Sequence, residues 1–265
     1  MSVFSNKLRK CASENESRIV LALDLLPPVG EKSFKRKLLL KARRILSDVN
    51  EHIAGVKINF QLLLPLGLFY DLRFLVEDAA SYGLPLIMDC KLNDVEHTNE
   101  LASRYFFEAG FDALIANPFV GWKGGLDVVF NVAREYEKGI ILLVYMSHPG
   151  AEEGYGQRVI DNQGNVRFQY EVFAEKAKSW GADGVVVGAT QPKIIKRVSE
   201  IVLNIPIFSP GIGFQGGDIS EIFQAGTSYA IVGRSIYQSE KPKYSAKEIK
   251  EKINEIVKTG EREKG

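Results

Sequence analysis

The sequence predicts an α/β protein folded as a single (β/α)₈ barrel, the TIM-barrel architecture. Short apolar runs alternate with longer amphipathic segments eight times along the 265 residues. This alternation is typical of repeated βα units and a parallel sheet, and eight units of this length match a barrel. No linker rich in proline or serine divides the chain, so we expect one domain over residues 1–265. A doubly wound open sheet is the main alternative, because the number of strands does not exclude it.

Apolar runs rich in β-branched residues predict eight strands. They are Arg18–Leu23, Ala54–Ile58, Pro85–Met88, Ala113–Ala116, Ile140–Tyr145, Gly184–Val187, Ile205–Phe208 and Tyr229–Val232. Apolar residues at helical spacing predict helices between them. These are Phe34–Ser47, Phe69–Ser81, Asn99–Ala109, Trp122–Tyr136, Val172–Trp180 and Ile194–Ile201.

The segments outside this repeat carry their own expectations. We expect a leading N-terminal helix, a C-terminal helix at Ser245–Val257 and a frayed tail after it. The connection Ser147–Gln169, between the fifth and sixth predicted strands, is long and rich in glycine and polar residues. A connection of that length predicts a functional or mobile loop rather than a packed element.

Composition and charge indicate a soluble, cytoplasmic protein. The formal net charge is +1, so neither nucleic acid nor a membrane surface is expected as a partner. Only Cys11 and Cys90 occur, which favours a reducing compartment over a disulfide framework. The polar first sixteen residues lack the apolar centre of a signal peptide. The strongest apolar run, Gly139–Met146, is too short to span a bilayer.

The segment Met88–Asp94 places two carboxylates and an ammonium directly after an apolar run. Side chains alternate along a strand, so Asp89 and Lys91 are expected on the same face. Charges at the end of a buried strand are costly unless they neutralise one another. With Lys57 after the second strand, and with Asp94, they would form a chain of alternating sign. Such a cluster favours catalysis over an ion-pair network that only closes the barrel mouth.

Polar groups follow almost every predicted strand, as an active site at the C-terminal end of a barrel requires. They include Asp24, Lys57, Asp89, Lys91, Asn117, Ser147, Ser209 and Arg234. The loops after the seventh and eighth strands are where such barrels commonly bind phosphate. The glycines of the seventh loop, Ser209–Asp218, allow backbone amides to approach an anion. Gly233 and Arg234 open a short helix, whose dipole and free amides favour an anion.

Neither a dinucleotide nor a metal is expected as cofactor. The match Gly211-x-Gly213-x-x-Gly216 to the dinucleotide fingerprint is weak, and no acid follows the next strand to hold a ribose hydroxyl. The three histidines show no ligand spacing, and each is predicted to be a surface or turn residue: His52, His97 and His148. Three aspartates of the site, Asp24, Asp89 and Asp94, could hold Mg²⁺. The two lysines among them would repel it.

The pattern Asp89-x-Lys91-x-x-Asp94, with Thr98 four positions beyond, closely resembles the signature of the orotidine 5′-monophosphate decarboxylase family. The resemblance covers nearly the whole chain and is closest to the shorter, microbial and archaeal branch. It includes Leu23-Asp24, Val56-Lys57, Met146–Gly150, Pro210–Asp218 and Ile231–Tyr237. Two features depart from the family. Val95 stands where isoleucine is usual, and the connection 147–169 is longer than expected.

The resemblance implies a catalytic tetrad of alternating charge, namely Lys57, Asp89, Lys91 and Asp94. It also implies residues that bind substrate, from the ribose through the pyrimidine to the phosphate: Asp24, Thr98, Ser147, Gln215, Pro210, Gly211, Gly233 and Arg234. Asp94 and Thr98 would come from the partner subunit of a homodimer with shared active sites. Gln215 would bridge the pyrimidine and the phosphate.

The implied reaction converts orotidine 5′-monophosphate to uridine 5′-monophosphate and CO₂ without a cofactor. Lys91 would stabilise the carbanion at C6 and then protonate it. A Mg²⁺-dependent sugar-phosphate decarboxylase or hexulose-phosphate synthase of the same superfamily is the nearest alternative. These enzymes resemble one another in having a glutamate where this chain has Lys57. Lys57 thus replaces a metal ligand with a cation, which favours the reaction without a metal. A Schiff-base aldolase using Lys57 or Lys91 and a non-catalytic phosphate-binding protein are further alternatives.

Overall fold

The computed structural model describes residues 2–26, 30, 33–161, 163–212 and 217–262, without the side chains of residues 261 and 262. Within these ranges the strands, in chain order, are β1 (Ile19–Ala22), β2 (Gly55–Asn59), β3 (Leu86–Leu92), β4 (Ala113–Ala116), β5 (Gly139–Tyr145), β6 (Arg158–Ile160), β7 (Val166–Phe168), β8 (Gly184–Val187), β9 (Ile207–Pro210) and β10 (Tyr229–Val232). All except β6 and β7 form one closed parallel barrel. Because β10 pairs with β1, the predicted barrel is confirmed and the open sheet is excluded.

Helices connect the strands and cover the outside of the barrel. They are α1 (Val3–Glu14), α2 (Phe34–Val49), α3 (Phe60–Leu66), α4 (Arg73–Ser81), α5 (Glu96–Glu108), α6 (Asp127–Glu135), α7 (Gln169–Trp180), α8 (Pro192–Val202), α9 (Ile219–Gln224), α10 (Arg234–Tyr237) and α11 (Pro242–Arg262). Among these described helices none combines the length and the apolar character needed to cross a membrane.

Two helices begin later than their apolar spacing predicts. The predicted helix at Phe69–Ser81 begins only at Arg73, because the preceding turn contains Tyr70 with non-helical backbone angles. Likewise α6 begins at Asp127, after a turn in which Gly124 has a φ of +69°. The spacing of apolar residues indicates which side chains face the core. It does not reveal a change of backbone winding within the same stretch.

Strand β3 continues past its predicted end at Met88 to Leu92, so Asp89 and Lys91 lie on the strand itself. The register between β3 and β4 shifts between Met88 and Leu92. Within this irregular stretch Lys91 has a φ of +46°, a left-handed conformation that is uncommon for a residue other than glycine. Such backbone strain is typical of functional sites.

The length of the connection 147–169 predicts a functional or mobile loop rather than a packed element, but the structure contains a packed hairpin there. Strands β6 and β7 pair as an antiparallel hairpin, and Asp161 Oδ1 accepts hydrogen bonds across its turn from the Gln163 and Asn165 amides, each 2.9 Å away. At its base Tyr155 and Tyr170 are buried against the rest of the protein. Buried aromatic side chains stabilise the hairpin. The prediction that this connection is not a packed element was wrong, because the two hairpin strands are too short and too exposed to produce a clear apolar pattern.

Helix α1 lies across the N-terminal ends of two barrel strands. Its Phe4 is buried and contacts Gly139, where a Cβ atom would lie only 2.4 Å from the Phe4 ring. Leu8 of the same helix packs beside Gly55 at the start of β2. Lys7 also forms an ion pair of 2.8 Å with Asp112. The helix therefore covers the N-terminal end of the barrel.

Candidate active site

A pocket of about 410 Å³ opens at the C-terminal ends of the barrel strands. Each of the eight barrel strands contributes to its wall, directly or through the loop that follows. The apolar part of the wall consists of Ala22, Leu26, Ile115, Leu143, Met146, Val186, Pro210, Ile212 and Ile231. The polar part consists of Asp24, Lys57, Asn59, Gln61, Asp89, Lys91, Ser147, His148, Arg234 and Tyr237, with the backbone of Gly211 and Gly233.

Four charged side chains of alternating sign meet on one side of this pocket. The Lys57 ammonium lies 3.1 Å from Asp24 Oδ1 and 2.9 Å from Asp89 Oδ2. The Lys91 ammonium lies 2.6 Å from Asp89 Oδ1. Lys57 and Asp89 are only 4% and 8% exposed, whereas Lys91 remains half-exposed to the pocket. The chain of charges within one subunit is therefore Asp24–Lys57–Asp89–Lys91, with Asp24 at the Lys57 end.

Electrostatics keep the two buried members of this chain ionised. Burial alone would raise the pKa of Asp89, but Lys57 and Lys91 outweigh it and hold the pKa below its usual value. Burial alone would lower the pKa of Lys57, but Asp89 and Asp24 outweigh it and hold this pKa above its usual value. Both groups are consequently charged at neutral pH, and neither is left as an uncompensated buried ion.

Strand register explains why these side chains converge. Lys57 lies two residues before Asn59 on β2, so both point into the barrel while Ile58 points outward and is fully buried. Ala22 of β1 is paired with Lys57, and Asn59 is paired with Asp89 of β3. Asp24 just after β1, Lys57 on β2 and Asp89 on β3 therefore lie in neighbouring rows at the barrel mouth.

Asp94 and Thr98 lie outside the pocket of their own subunit. Both side chains are exposed, and neither contributes to the pocket wall. The backbone of Asp94 is nevertheless fixed, because the buried Asn99 side chain donates to the Asp94 carbonyl at 2.6 Å and to the Gly125 carbonyl at 2.9 Å. A single subunit therefore brings together three of the four predicted tetrad residues.

The two loops predicted to bind phosphate both reach the pocket. Gly211 follows β9 with a φ of +98°, and Gly233 and Arg234 follow β10. Gly217 closes the seventh loop by donating its amide to the Gly211 carbonyl at 3.2 Å. A Cβ atom at Gly217 would lie 2.9 Å from that oxygen, so the close approach requires glycine. Gln215 lies outside the described residues.

Ser147 and His148 line the end of the pocket that follows β5. The Ser147 carbonyl accepts a hydrogen bond of 3.2 Å from the Thr190 hydroxyl, which ties this loop to the loop after β8. The place of His148 in the pocket wall was not expected, because the sequence predicted only a surface or turn residue at this position. The amide of Asn117 is directed instead to the Tyr155 hydroxyl, 3.2 Å away, and Asn117 is not part of the pocket wall.

Comparisons with known proteins match this architecture. The model of the orotidine 5′-phosphate decarboxylase / HUMPS family matches residues 17–249. The chain belongs to this family. It is 37% identical over 214 residues to orotidine 5′-phosphate decarboxylase of Methanosarcina acetivorans, covering 80% of this chain and 89% of the relative. It is 35% identical over 243 residues to the enzyme of that name from Thermococcus kodakarensis, covering 91% and 99%.

Solved structures of this family superpose on the chain. Orotidine 5′-monophosphate decarboxylase of Methanocaldococcus jannaschii, in complex with the inhibitor BMP, has a TM-score of 0.75 at 30% identity over 90% of this chain and 99% of its own. Orotidine monophosphate decarboxylase of Leishmania donovani has a TM-score of 0.80 at 26% identity over 97% and 99%. The family resemblance of the sequence motifs is thus confirmed.

The sequence did not predict four polar residues of the pocket wall, namely Asn59, Gln61, His148 and Tyr237. The Tyr237 hydroxyl donates to the Asp24 carbonyl at 3.0 Å and so joins the loop after β1 to α10. The available signals were the position of Asn59, two residues after Lys57 on a strand, and the family motifs Met146–Gly150 and Ile231–Tyr237, which contain His148 and Tyr237. Among the described residues, no group of three or more His, Cys, Asp or Glu side chains is arranged to hold a metal ion.

Proposed function

We propose that the protein decarboxylates orotidine 5′-monophosphate to uridine 5′-monophosphate and CO₂. The observation that carries this proposal is the Asp24–Lys57–Asp89–Lys91 chain of alternating charges beside two glycine-containing loops in one pocket. The pocket offers a cation for a developing carbanion and loops suited to a phosphate. Curated relatives bearing the name of this decarboxylase support the proposal.

Lys91 is the residue we assign to protonation. Loss of CO₂ from C6 leaves an electron pair in an orbital that the pyrimidine ring cannot delocalise. The Lys91 ammonium contacts a single carboxylate and is half-exposed to the pocket, so it is free to approach that carbon, stabilise the charge and donate a proton. Lys57 is buried between two carboxylates, and its role is to hold Asp24 and Asp89 in place.

Asp89 is placed to act on the bound substrate. Its carboxylate stays ionised, because Lys57 and Lys91 hold its pKa below the usual value against the effect of burial. Next to the substrate carboxylate it would disfavour the ground state, and this repulsion is relieved when CO₂ departs. Binding of the distant 5′-phosphate by Gly211, Gly233 and Arg234 would supply the free energy for this unfavourable placement.

The alternatives fit these residues less well. A Mg²⁺-dependent enzyme of the superfamily would need a carboxylate where Lys57 lies, and a buried ammonium repels a divalent cation. A Schiff-base mechanism needs a neutral amine, but the neighbouring carboxylates hold the pKa of Lys57 above its usual value in spite of its burial. A non-catalytic phosphate-binding protein would have no use for the buried charges.

We further propose a homodimer in which Asp94 and Thr98 complete the site of the partner. Both are exposed outside their own pocket, although the backbone of Asp94 is rigidly held. An exposed apolar patch is formed by residues of α3, the turn before α4 and the start and body of α5, each between 49% and 78% exposed: Leu64, Phe69, Tyr70, Val95 and Tyr105. The rings of Phe69 and Tyr105 meet edge to face at 6.2 Å and join α5 to the turn before α4. Exposed patches of this kind mark protein–protein interfaces.

The direct test is an absorbance assay of orotidine 5′-monophosphate decarboxylation with purified protein pretreated with EDTA. We expect turnover without added metal and no stimulation by Mg²⁺. Absence of turnover, or turnover that appears only when Mg²⁺ is added, would refute the assignment. A hexulose 6-phosphate offered in parallel, with Mg²⁺, tests the nearest alternative directly.

A further inference from the structure

We infer that the hairpin of β6 and β7 extends the subunit interface, with one exposed face of the hairpin packed on the apolar patch of a second copy of this chain. The inference rests on the proposed function, because it concerns the association that would complete the shared site. It also gives a role to the connection 147–169, whose length departs from the family pattern.

One face of the hairpin is fixed to the body of its own subunit. The Arg167 guanidinium donates two hydrogen bonds of 2.6 Å to the carboxylate of Glu175 on α7. At the base of the hairpin the Tyr170 amide donates to the Tyr155 carbonyl at 3.0 Å, and both tyrosine rings are buried. These contacts hold the hairpin as a packed element with a defined orientation.

The opposite face of the hairpin is largely apolar and exposed to solvent. Strand register places four side chains on it, which we call the hairpin face: Arg158, Ile160, Val166 and Phe168. Ile160 and Val166 are 74% and 64% exposed, and the Arg158 guanidinium lies 5.6 Å from the centre of the Phe168 ring. Arginine among apolar and aromatic side chains, without lysine or a carboxylate, is typical of the core of a protein–protein interface.

Contacts link the base of the hairpin to the start of α5. The ring of Phe119, in the loop after β4, is half-exposed and lies 5.2 Å from the Tyr155 ring. The Gly125 carbonyl of the same loop accepts from Asn99 of α5 at 2.9 Å, and Asn99 also donates to the Asp94 carbonyl at 2.6 Å. The hairpin and Asp94 therefore belong to one connected surface. An association that brings Asp94 to a second copy also brings the hairpin towards it.

The hairpin and part of the apolar patch lie on opposite sides of the start of α5. The hairpin follows β5, whereas Leu64 lies in α3 after β2, and Phe69 and Tyr70 lie in the turn after α3. Strands β3 and β4 separate the two sides in the barrel, and α5 follows β3. A twofold axis that passes between the two sides, beside Asp94, brings each hairpin face onto this part of the apolar patch of the other subunit. The dimer then contains the contact twice.

The test measures the dissociation constant of the dimer, Kd, by sedimentation equilibrium for the unchanged protein, Ile160→Glu and Val166→Glu. A carboxylate buried without a partner is costly, so each variant should raise Kd about tenfold or more. Tyr70→Glu should do the same from the other side of the contact. The specific activity of these variants should fall on dilution and recover at high protein concentration, because Asp94 and Thr98 would reach the other pocket only in the dimer.

Leu203→Glu is the matched control. Leu203 is 64% exposed, as Val166 is, but it lies between α8 and the start of β9, at the opposite end of the barrel from the pocket. Its Kd should equal that of the unchanged protein. Circular dichroism checks that each variant is folded. Ile160→Ser repeats the test without a new charge and should raise Kd by a smaller factor.

An unchanged Kd in the folded hairpin variants overturns the inference while the proposed function stands. The inference is also overturned if the unchanged protein is a monomer, or if the variants only convert a larger assembly into a dimer whose activity resists dilution. In that last case the hairpin face would join one dimer to another. If the unchanged protein does not decarboxylate orotidine 5′-monophosphate, the proposed function itself fails.

Discussion

Lys91 combines an unusual backbone conformation with a side chain that is partly exposed to the pocket. Its φ of +46° lies where a non-glycine residue is strained, and its ammonium is held by Asp89 at 2.6 Å. Asp89 is in turn bound by the buried Lys57 at 2.9 Å. The strain and the ion pairs together fix the direction of the Lys91 side chain into the pocket. We interpret this arrangement as preorganisation of Lys91 for its proposed role as proton donor.

Lys91→Ala should lower kcat by at least about a thousandfold, because it removes both the proton donor and the cation beside the carbanion. The fold should survive, since Lys57 still neutralises Asp89. The measurement is steady-state decarboxylation together with a thermal melt followed by circular dichroism. Lys41→Ala, an exposed lysine of α2 away from the pocket, is the control. A rate within tenfold of the unchanged protein would exclude Lys91 as the donor.

Asp89 should make folding stability depend on acid pH. Its pKa is lower in the folded protein than in the unfolded chain, where it is about 4. The stabilisation is therefore complete above that unfolded value and is lost as the pH falls towards the folded pKa. Urea unfolding at pH 7 and pH 3 should show a smaller loss for Asp89→Asn than for the unchanged protein. Equal losses would show that Asp89 does not contribute to the acid sensitivity.

At the level of elements, the sequence revealed the barrel but not every irregularity within it. Apolar runs identified the eight barrel strands, because strands buried on both faces consist almost entirely of apolar residues. The hairpin of β6 and β7 was missed, since Ile160 and Val166 are exposed and its strands are short. The winding changes at Tyr70 and Gly124 were missed because they leave the apolar spacing intact.

Most of the candidate site could be predicted because charged residues interrupt apolar strands at recognisable places. Asp24, Lys57, Asp89 and Lys91 all reach one pocket. Asn59 could not be distinguished from an ordinary helix cap without knowledge of which face of β2 lines the pocket. The contact of Asp24 with Lys57 depends on strand register, which one sequence does not encode locally.

The start of α5 provides a test at this scale. Asn99 is fully buried and donates to the carbonyls of Asp94 and Gly125. Asn99→Ala should lower the free energy of unfolding by about 1–3 kcal/mol, because two buried acceptors lose their donor. It should also lower kcat/KM, because the backbone of Asp94 is released. Urea denaturation and steady-state kinetics measure the two effects. Unchanged kinetics in a destabilised variant would argue against a role for Asp94.

At the scale of the whole molecule, the proposed shared site makes activity a property of two subunits. Each subunit would contribute Lys91 to its own pocket and Asp94 to that of its partner. The exposed apolar patch around Tyr70 and Val95 would be covered by this association. A symmetric dimer of this kind contains two equivalent sites, each built from both chains.

Mixing two inactive variants tests this sharing. Lys91→Ala and Asp94→Ala should each be inactive, but subunit exchange would form hybrids with one intact site. Random exchange of equal amounts should restore about a quarter of the unchanged protein's activity, since half of the dimers are hybrids with one working site of two. A mixture of either variant with itself is the control. No recovery after verified exchange would exclude a site shared through these two residues.

The most direct measurement of the central claim is decarboxylation in D₂O by protein freed of metal with EDTA, with the uridine 5′-monophosphate analysed by proton NMR. Protonation of a C6 carbanion without a metal predicts one deuterium at C6 and one CO₂ for each product molecule, at a rate that added Mg²⁺ does not change. Absence of product, or product formed only after Mg²⁺ is restored, would contradict the account.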